Sequence, residues 1–220
     1  MPGRRAESRR RNAEALTRAA EQLFTRHGYQ AVGIERIAEE AGLTTGAIYS
    51  IFGAKQGLLL AVLDSALHRV AAAARALEDD QDLTAAEVVA AFARAYCGIV
   101  GSLAGRRALR LEAEALALAL QDDARGGELL QRLGRTRHHL AELLTGRRVH
   151  PADRRRLTSD EAATLAGAEA AILHGLAHQA AVGAQEPDPE LWARAATAMV
   201  ALVDEPGPAG SRGAGSASSA

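Results

Sequence analysis

Two short helical patterns, separated by a single glycine, lie within the stretch 28–60. Apolar residues at helical spacing predict a first short helix over 34–41. Gly42 follows at once, where the chain must leave the helix and turn, and Thr44 is well placed to cap a second helix over 45–52. The apolar residues of that second helix can face the first, which is a helix-turn-helix arrangement. The side left free is small and polar, as entry into the major groove requires. It carries Thr45, Gly46, Tyr49 and Ser50.

The rest of the chain also favours helix. No proline lies between Pro2 and Pro151, and Ala, Leu, Arg and Glu dominate the 220 residues, a composition typical of helical proteins. We therefore predict an all-α fold. Besides the two short helices, the predicted helices span about 12–27, 55–77, 85–103, 106–121, 128–145, 159–182 and 188–204.

Charge is distributed unevenly, although the net charge is only −1. Residues 1–60 hold nine basic and six acidic side chains, and the remainder is acidic on balance. Five arginines fall within the first eleven residues. A basic arm of this kind can follow phosphates or enter the minor groove, and it can equally be a solvated, flexible terminus.

The stretch 28–60 resembles the N-terminal DNA-binding domain of the TetR family of bacterial transcriptional regulators. It departs from the family's usual residues where Gly33 replaces a Ser or Thr and where Thr45 replaces a common Lys. Ser50-Ile51 and Gly53-Ala54 are further departures. An operator sequence therefore cannot be borrowed from a relative. The matching residues are Gly28-Tyr29, Ile37-Ala38, Ala41-Gly42-Leu43, Gly46-Ala47-Ile48-Tyr49, Phe52, Lys55 and Leu58-Leu59.

The resemblance implies how the chain divides into domains. A three-helix helix-turn-helix domain is followed by a larger helical domain for ligand binding and dimerisation. The expected segments are a flexible basic arm over 1–10, a DNA-binding domain over 11–60, a ligand-binding and dimerisation domain over 61–204, and a disordered tail over 205–220 that is rich in Gly, Pro, Ser and Ala.

The expected partner of the N-terminal domain is double-stranded DNA. Its major groove would meet Thr45, Gly46, Tyr49 and Ser50. Phosphates would be held by Thr44, Tyr49 and Lys55, with help from Arg36. Lys55 opens a long predicted helix, so the free N–H groups of the first turn add to its charge.

The last two predicted helices have the pattern of an oligomer interface. Small residues recur on one and apolar residues surround the other, which implies burial on more than one side. A simple intrachain core gives a similar pattern. A homodimer is favoured because reading a palindrome needs two copies about one turn of DNA apart, and in TetR-family proteins the last two helices form a four-helix dimer bundle. The predicted interface residues are Gly167, Ala171, Gly175, Leu191, Trp192, Ala195 and Met199.

A ligand cavity is expected among the central helices, where Ala and Leu walls with a few polar groups would suit a small, largely apolar molecule. Each candidate could instead be an ordinary core or surface residue. His174 and His178 have metal-compatible spacing, but no third ligand accompanies them, so we predict no metal and no cofactor. The candidate ligand-binding residues are Tyr96, Cys97, Glu112, Glu114, His138 and His174.

Two functional hypotheses follow. In the first, a cytoplasmic, homodimeric repressor leaves its palindromic operator when it binds a small apolar ligand. The single cysteine, Cys97, fits a reducing compartment, and no long apolar run predicts a membrane span. In the second, the chain is an all-helical dimeric binding protein or enzyme without a role on DNA. No nucleophile motif, glycine-rich phosphate loop or metal quartet supports catalysis, so we predict no catalytic residue.

Overall fold

A computed structural model of the chain describes residues 2–120, 123–152, 154–183 and 186–204. The fold is all-α, as the sequence predicts, and within these residues the only β-type pairing is an isolated bridge between Arg148 and Arg156. The helices are α1 (Pro2–His27), α2 (Ile34–Glu40), α3 (Thr45–Phe52), α4 (Lys55–Arg75), α5 (Ala85–Gly101), α6 (Leu103–Ala119), α7 (Asp123–Leu144), α8 (Ser159–Val182), α9 (Pro189–Met199) and α10 (Ala201–Asp204).

A first hydrophobic core, called here the N-terminal core, joins α1, α2, α3 and the first half of α4. Its central side chains are fully buried: Leu16, Phe24, Ile37, Ile48 and Leu58. The second half of α6 also belongs to it, through the buried Leu111 and Ala115. The N-terminal core is therefore not closed by the helix-turn-helix segment alone.

A second core, the C-terminal core, lies among α5, α6, α7, α8, α9, α10 and the far end of α4. Four of its helices begin with side-chain caps. Thr84 of α5 and Thr158 of α8 each form a capping box with the glutamate three residues later. Ser102 caps α6 and Asp188 caps α9. Arg147, 5 % exposed, donates to four backbone carbonyls and so fixes the chain between α4 and α5 against the end of α7.

The helix α4 takes part in both cores. It is the one helix of the described residues that is long and apolar enough by itself to cross a membrane. Leu58, Leu59, Leu63 and Ala74 on α4 are buried within the protein, and a core helix of this kind meets the same length and hydropathy criteria as a membrane span.

Two helix boundaries differ from the sequence prediction. The helix α1 begins at Pro2 and not near Asn12, because the basic segment holds strong helix formers and makes the i,i+4 pairs Glu7–Arg11 and Arg10–Glu14. The helix α7 begins at Asp123, so Gly126 and Gly127 do not interrupt it. The predicted tail over 205–220 lies outside the described residues.

The most unusual buried group is Glu169, on the inward face of α8. Its side chain is 0 % exposed, and neither carboxyl oxygen has a hydrogen-bond partner among the described residues. Burial raises the pKa of Glu169 to about 8 from an ordinary value of 4.5. The carboxyl is therefore mostly neutral in the folded protein at pH 7.

We expect this burial to make folding stability pH-dependent. Because the folded-state pKa lies above the unfolded value, the unfolded chain binds fewer protons between pH 4.5 and 8, and the free energy of unfolding falls as pH rises in that window. The maximum slope is about 1.4 kcal/mol per pH unit. Glu169→Gln lacks this titration, so its stability relative to the parent, measured by urea unfolding, should increase from pH 5 to 8. A constant difference over that range would contradict the prediction.

Candidate nucleic-acid interface and ligand cavity

The helix-turn-helix is built around Gly42, whose φ of +65° ends α2 in the left-handed region. The Leu43 N–H then donates to the Ala38 carbonyl and closes the turn. A second close approach joins α3 to α4, because a Cβ on Gly57 would lie 2.0 Å from the Phe52 carbonyl oxygen. These two glycines hold α3 between its neighbours while its other side stays free.

The free side of α3 carries the predicted DNA-contacting residues. Gly46, Tyr49 and Ser50 are exposed, with Tyr49 at 55 %, and Thr45 is half-buried. The Ile48 side chain points the other way and is fully buried. Thr44 precedes α3 in an extended conformation, but its hydroxyl does not cap the helix, contrary to the expectation from its position.

The helices α2, α3 and α4 all begin without a side-chain cap, at Gly33, Thr44 and Ala54 respectively. The helices α5, α6, α8 and α9 of the C-terminal core are all capped by side chains. Uncapped first turns leave N–H groups that carry partial positive charge and can donate to an anion. Glu35 lies in the first turn of α2, whereas the first turns of α3 and α4 carry no acidic residue and are the better candidates for an anion.

Lys55, at the start of α4, is linked to the C-terminal part of the chain through Tyr29. Its ammonium lies 4.3 Å from the centroid of the Tyr29 ring and 3.5 Å from the Gln30 carbonyl oxygen. The Tyr29 N–H donates to Glu114 Oε2 of α6 at 2.6 Å. Burial lowers the pKa of Lys55, and the charge of Glu114 partly opposes that effect.

Two other basic side chains border the helix-turn-helix. Arg36 donates to His27 Nε2 at 3.1 Å and remains exposed. Arg9, on the exposed first part of α1, donates to the Ser50 carbonyl at the end of α3. The arginines of the predicted arm are thus carried on a helix that reaches the end of α3.

A cavity opens among α4, α5, α6, α7 and α8 and contains about 860 Å³ of empty space, counted out to its mouth. Most of its wall is apolar, with Leu67, Val70, Phe92, Leu109 and Leu173 as examples. An apolar wall with a few polar groups is typical of small-molecule sites. Its polar wall residues are Arg69, Tyr96, Glu112, Thr136, Arg137 and His174.

Three of the six predicted ligand-binding residues meet at this cavity. Glu112 Oε1 lies 3.5 Å from His174 Nε2, and the Tyr96 and His174 ring centroids are 6.1 Å apart. Burial, with Glu112 nearby, raises the pKa of the Tyr96 hydroxyl. Sequence reasoning missed Arg69, Thr136 and Arg137, because the inward face of α4 and α7 could not be fixed from their mixed pattern.

The other three lie away from the cavity wall. Glu114 contacts Tyr29 instead, and Cys97 is buried in the C-terminal core. His138 is exposed on α7 and pairs with Glu142. The reason for Glu114 is geometric: it follows Glu112 by two positions, so the two carboxylates lie about 200° apart around α6.

Of the predicted interface residues, all but one are exposed or half-buried. Ala171, Gly175 and Leu191 are exposed, and Gly167, Ala195 and Met199 are half-buried. Trp192 is only 2 % exposed and packs on Tyr96 with ring centroids 5.9 Å apart, so it lies inside the protomer core and not on its surface.

No group of three or more His, Cys, Asp or Glu side chains within the described residues could hold a metal ion. His174 Nδ1 lies 2.7 Å from the Ala170 carbonyl oxygen, which occupies one of its two ring nitrogens.

The fold and the exposed face of α3 define an all-helical protein with an N-terminal helix-turn-helix domain and a second domain that encloses a cavity. Residues 16–62 match the family model of the bacterial regulatory proteins, tetR family. The match covers the whole of the stretch 28–60, in which the resemblance to this family was found.

Solved structures share the fold over most of the chain. A candidate TetR-family transcriptional regulator from Mesorhizobium loti MAFF303099 has a TM-score of 0.61 at 19 % identity, covering 88 % of this chain and 95 % of its own. A transcriptional regulator from Rhodococcus sp. RHA1 has a TM-score of 0.62 at 19 % identity, covering 87 % and 95 %. The multidrug binding protein EbrR in complex with proflavin has a TM-score of 0.56 at 22 % identity, covering 86 % and 99 %. No curated protein sequence matches the chain significantly.

The Glu114–Tyr29 hydrogen bond leads to a direct prediction. Hydrogen bonds to charged groups contribute about 1.5–3 kcal/mol, so Glu114→Ala should make local opening at Tyr29 at least about tenfold more frequent. Amide hydrogen exchange at Tyr29 measures this opening. Glu142→Ala, at a 64 % exposed carboxylate on α7, is the matched control and should leave the exchange rate of Tyr29 unchanged. Equal exchange in the parent and Glu114→Ala would contradict the prediction.

Proposed function

We propose that the protein is a transcriptional repressor that binds a palindromic DNA operator as a homodimer and leaves it when a small, largely apolar molecule enters the cavity. The observation that carries the proposal is the small, exposed face of α3, together with the uncapped first turns of α3 and α4. DNA offers both a groove for such a face and phosphates for such donors.

The basic side chains around α3 support binding to the phosphate backbone. Lys55 has no salt bridge to a described carboxylate and stands at the first turn of α4. Exposed Arg36 borders α2, and Arg9 places the basic segment of α1 beside the end of α3. We assign phosphate contacts to Thr44, Tyr49 and Lys55, and base contacts to Thr45, Gly46, Tyr49 and Ser50.

The outer face of α8, with the neighbouring α9, supports the homodimer. Exposed small residues on α8 allow a second helix to approach closely, and Leu191 and Leu202 are 48 % and 57 % exposed beside them. A symmetric interface would cover these apolar groups and set two α3 helices to read one palindrome.

The position of α6, between the cavity and the N-terminal core, supports the proposed response to a ligand. It lines the cavity through Leu109 and Glu112, and it enters the N-terminal core through Leu111 and Ala115. A molecule that binds better when α6 is displaced would therefore act on the position of the DNA-binding domain. Coupling of about 1–3 kcal/mol would weaken DNA binding 5- to 150-fold.

The first test is selection of bound duplexes from a random DNA pool with the purified full chain, at two salt concentrations. We expect an enriched palindrome whose half-sites lie about one helical turn apart, about 34–36 Å. No enrichment at either salt would favour a helical binding protein or enzyme without a role on DNA. An enriched site without symmetry would contradict the homodimer.

Two substitutions separate phosphate contacts from base contacts. Lys55→Ala should weaken binding to all sequences alike and lower the salt slope by about one unit, whereas Thr45→Ala should alter base preference within each half-site. The measurement is titration of the selected duplex and its single-base variants at several salt concentrations.

The matched control is Arg75→Ala, which removes an exposed positive charge from the opposite end of α4, about 30 Å from Lys55. It should keep both the affinity and the salt slope. If Lys55→Ala and Thr45→Ala bind like the parent, this assignment of the interface is wrong.

A further inference from the structure

The polar groups inside the cavity indicate the chemical class of molecule that it accepts. Glu112 is 8 % exposed, and its only contact with a described polar side chain is His174 Nε2 at 3.5 Å. A carboxylate with so little exposed surface is stabilised by hydrogen-bond donors or a positive charge.

The orientation of His174 removes one potential donor. A carbonyl oxygen can only accept, so the 2.7 Å contact with Ala170 places the proton on Nδ1. Only a protonated ring could donate from Nε2 to Glu112 Oε1, whereas in the neutral ring both of these atoms are acceptors. A bound group that donates hydrogen bonds would satisfy both atoms at once.

Aromatic side chains beside this acceptor pair favour positive charge as well. The rings of Phe92 and Tyr96 lie parallel, with centroids 6.3 Å apart, and both line the cavity. Aromatic faces attract cations. The Tyr96 hydroxyl makes no hydrogen bond within the described part of the chain and is available to a ligand.

Two arginines also line the cavity and could select an acid instead. Arg137 is exposed on α7 and Arg69 is half-buried on α4, so water screens their charges more than the charge of the buried Glu112. Weaker screening favours the carboxylate over the arginines as the group that selects the ligand.

We propose that the cavity binds an apolar molecule with a protonated nitrogen, whose N–H groups lie between Glu112 and His174 Nε2 beside the Tyr96 ring. This inference rests on the proposed function only in taking the cavity as the ligand site. It names a head group that the apolar wall alone does not indicate.

Three probes with one tail and different head groups test the inference: decylamine, 1-decanol and decanoate. Calorimetric titration of the DNA-free protein at pH 7 should show decylamine binding at least tenfold more tightly than the other two. Glu112→Gln should lose most of this preference, and Tyr96→Phe should lose a smaller part. Glu142→Gln, at an exposed carboxylate of α7, is the matched control and should keep it.

Each other outcome overturns the inference. Tighter binding of decanoate would show that Arg69 and Arg137 select an acid. Equal affinities would show that the cavity recognises only the alkyl tail. No binding of any probe would show that it does not accept apolar molecules with a protonated nitrogen. The comparison on the unsubstituted protein decides the matter even if Glu112→Gln does not fold.

Titration of a selected duplex, run in parallel, keeps this inference separate from the proposed function. Binding of decylamine through Glu112 without any binding of DNA would support this inference and contradict the proposed regulator. Binding of DNA together with a preference for decanoate would support the proposed regulator and contradict this inference.

Discussion

The structure depends on the position of α6, which contributes one face to each of two cores. Leu109 and Glu112 lie on the cavity side, whereas Leu111 and Ala115 are buried in the N-terminal core. The spacing follows from helix geometry, because residues three or four apart share a face and residues two apart do not. Without α6, the N-terminal core would expose the apolar surface that Leu111 and Ala115 cover. The helix-turn-helix segment is thus held in place by a helix whose other side lines the cavity.

The two parts of the chain differ in the side-chain caps at their helix starts, and the difference affects the stability of the helices. The helix starts around the C-terminal core are closed by Thr84, Ser102, Thr158 and Asp188, and a cap of this kind contributes about 0.5–2 kcal/mol. The starts of α2, α3 and α4 lack that contribution. Their stability comes instead from packing of residues such as Ile37 and Ile48, which are fully buried. Because these side chains pack inward, they do not cover the backbone N–H groups of the first turns, which can therefore donate to an anion.

Sequence patterns predicted the elements whose signals are local. The bounds of α3 agree because Gly42 and Gly53 enclose it, and both have positive φ. The first ten residues of α1 were missed, since charge density suggested a flexible segment while i,i+4 pairs favour helix. The cavity was harder to predict. Glu112 and Glu114 look alike in an almost wholly apolar run, and only the packing of α6 assigns one to the cavity and the other to Tyr29. Trp192 was misplaced for a similar reason, because α9 is apolar on several sides and the pattern does not say which side faces the protomer.

A comparison of free energies favours the Glu114–Tyr29 hydrogen bond as the contact that a movement of α6 would break first. A ligand changes DNA affinity only by its own preference for one state, typically 1–3 kcal/mol. A hydrogen bond to a carboxylate contributes about 1.5–3 kcal/mol, which is the same range. Moving Leu111 and Ala115 out of the N-terminal core as well would add about 1.5–3 kcal/mol for the large apolar side chain alone, and the sum exceeds what a ligand supplies. A response that exchanges the polar contact and keeps the apolar one is therefore within reach of a small molecule. Lys55, whose ammonium lies against the Tyr29 ring, would be the first group of the proposed DNA interface to be displaced.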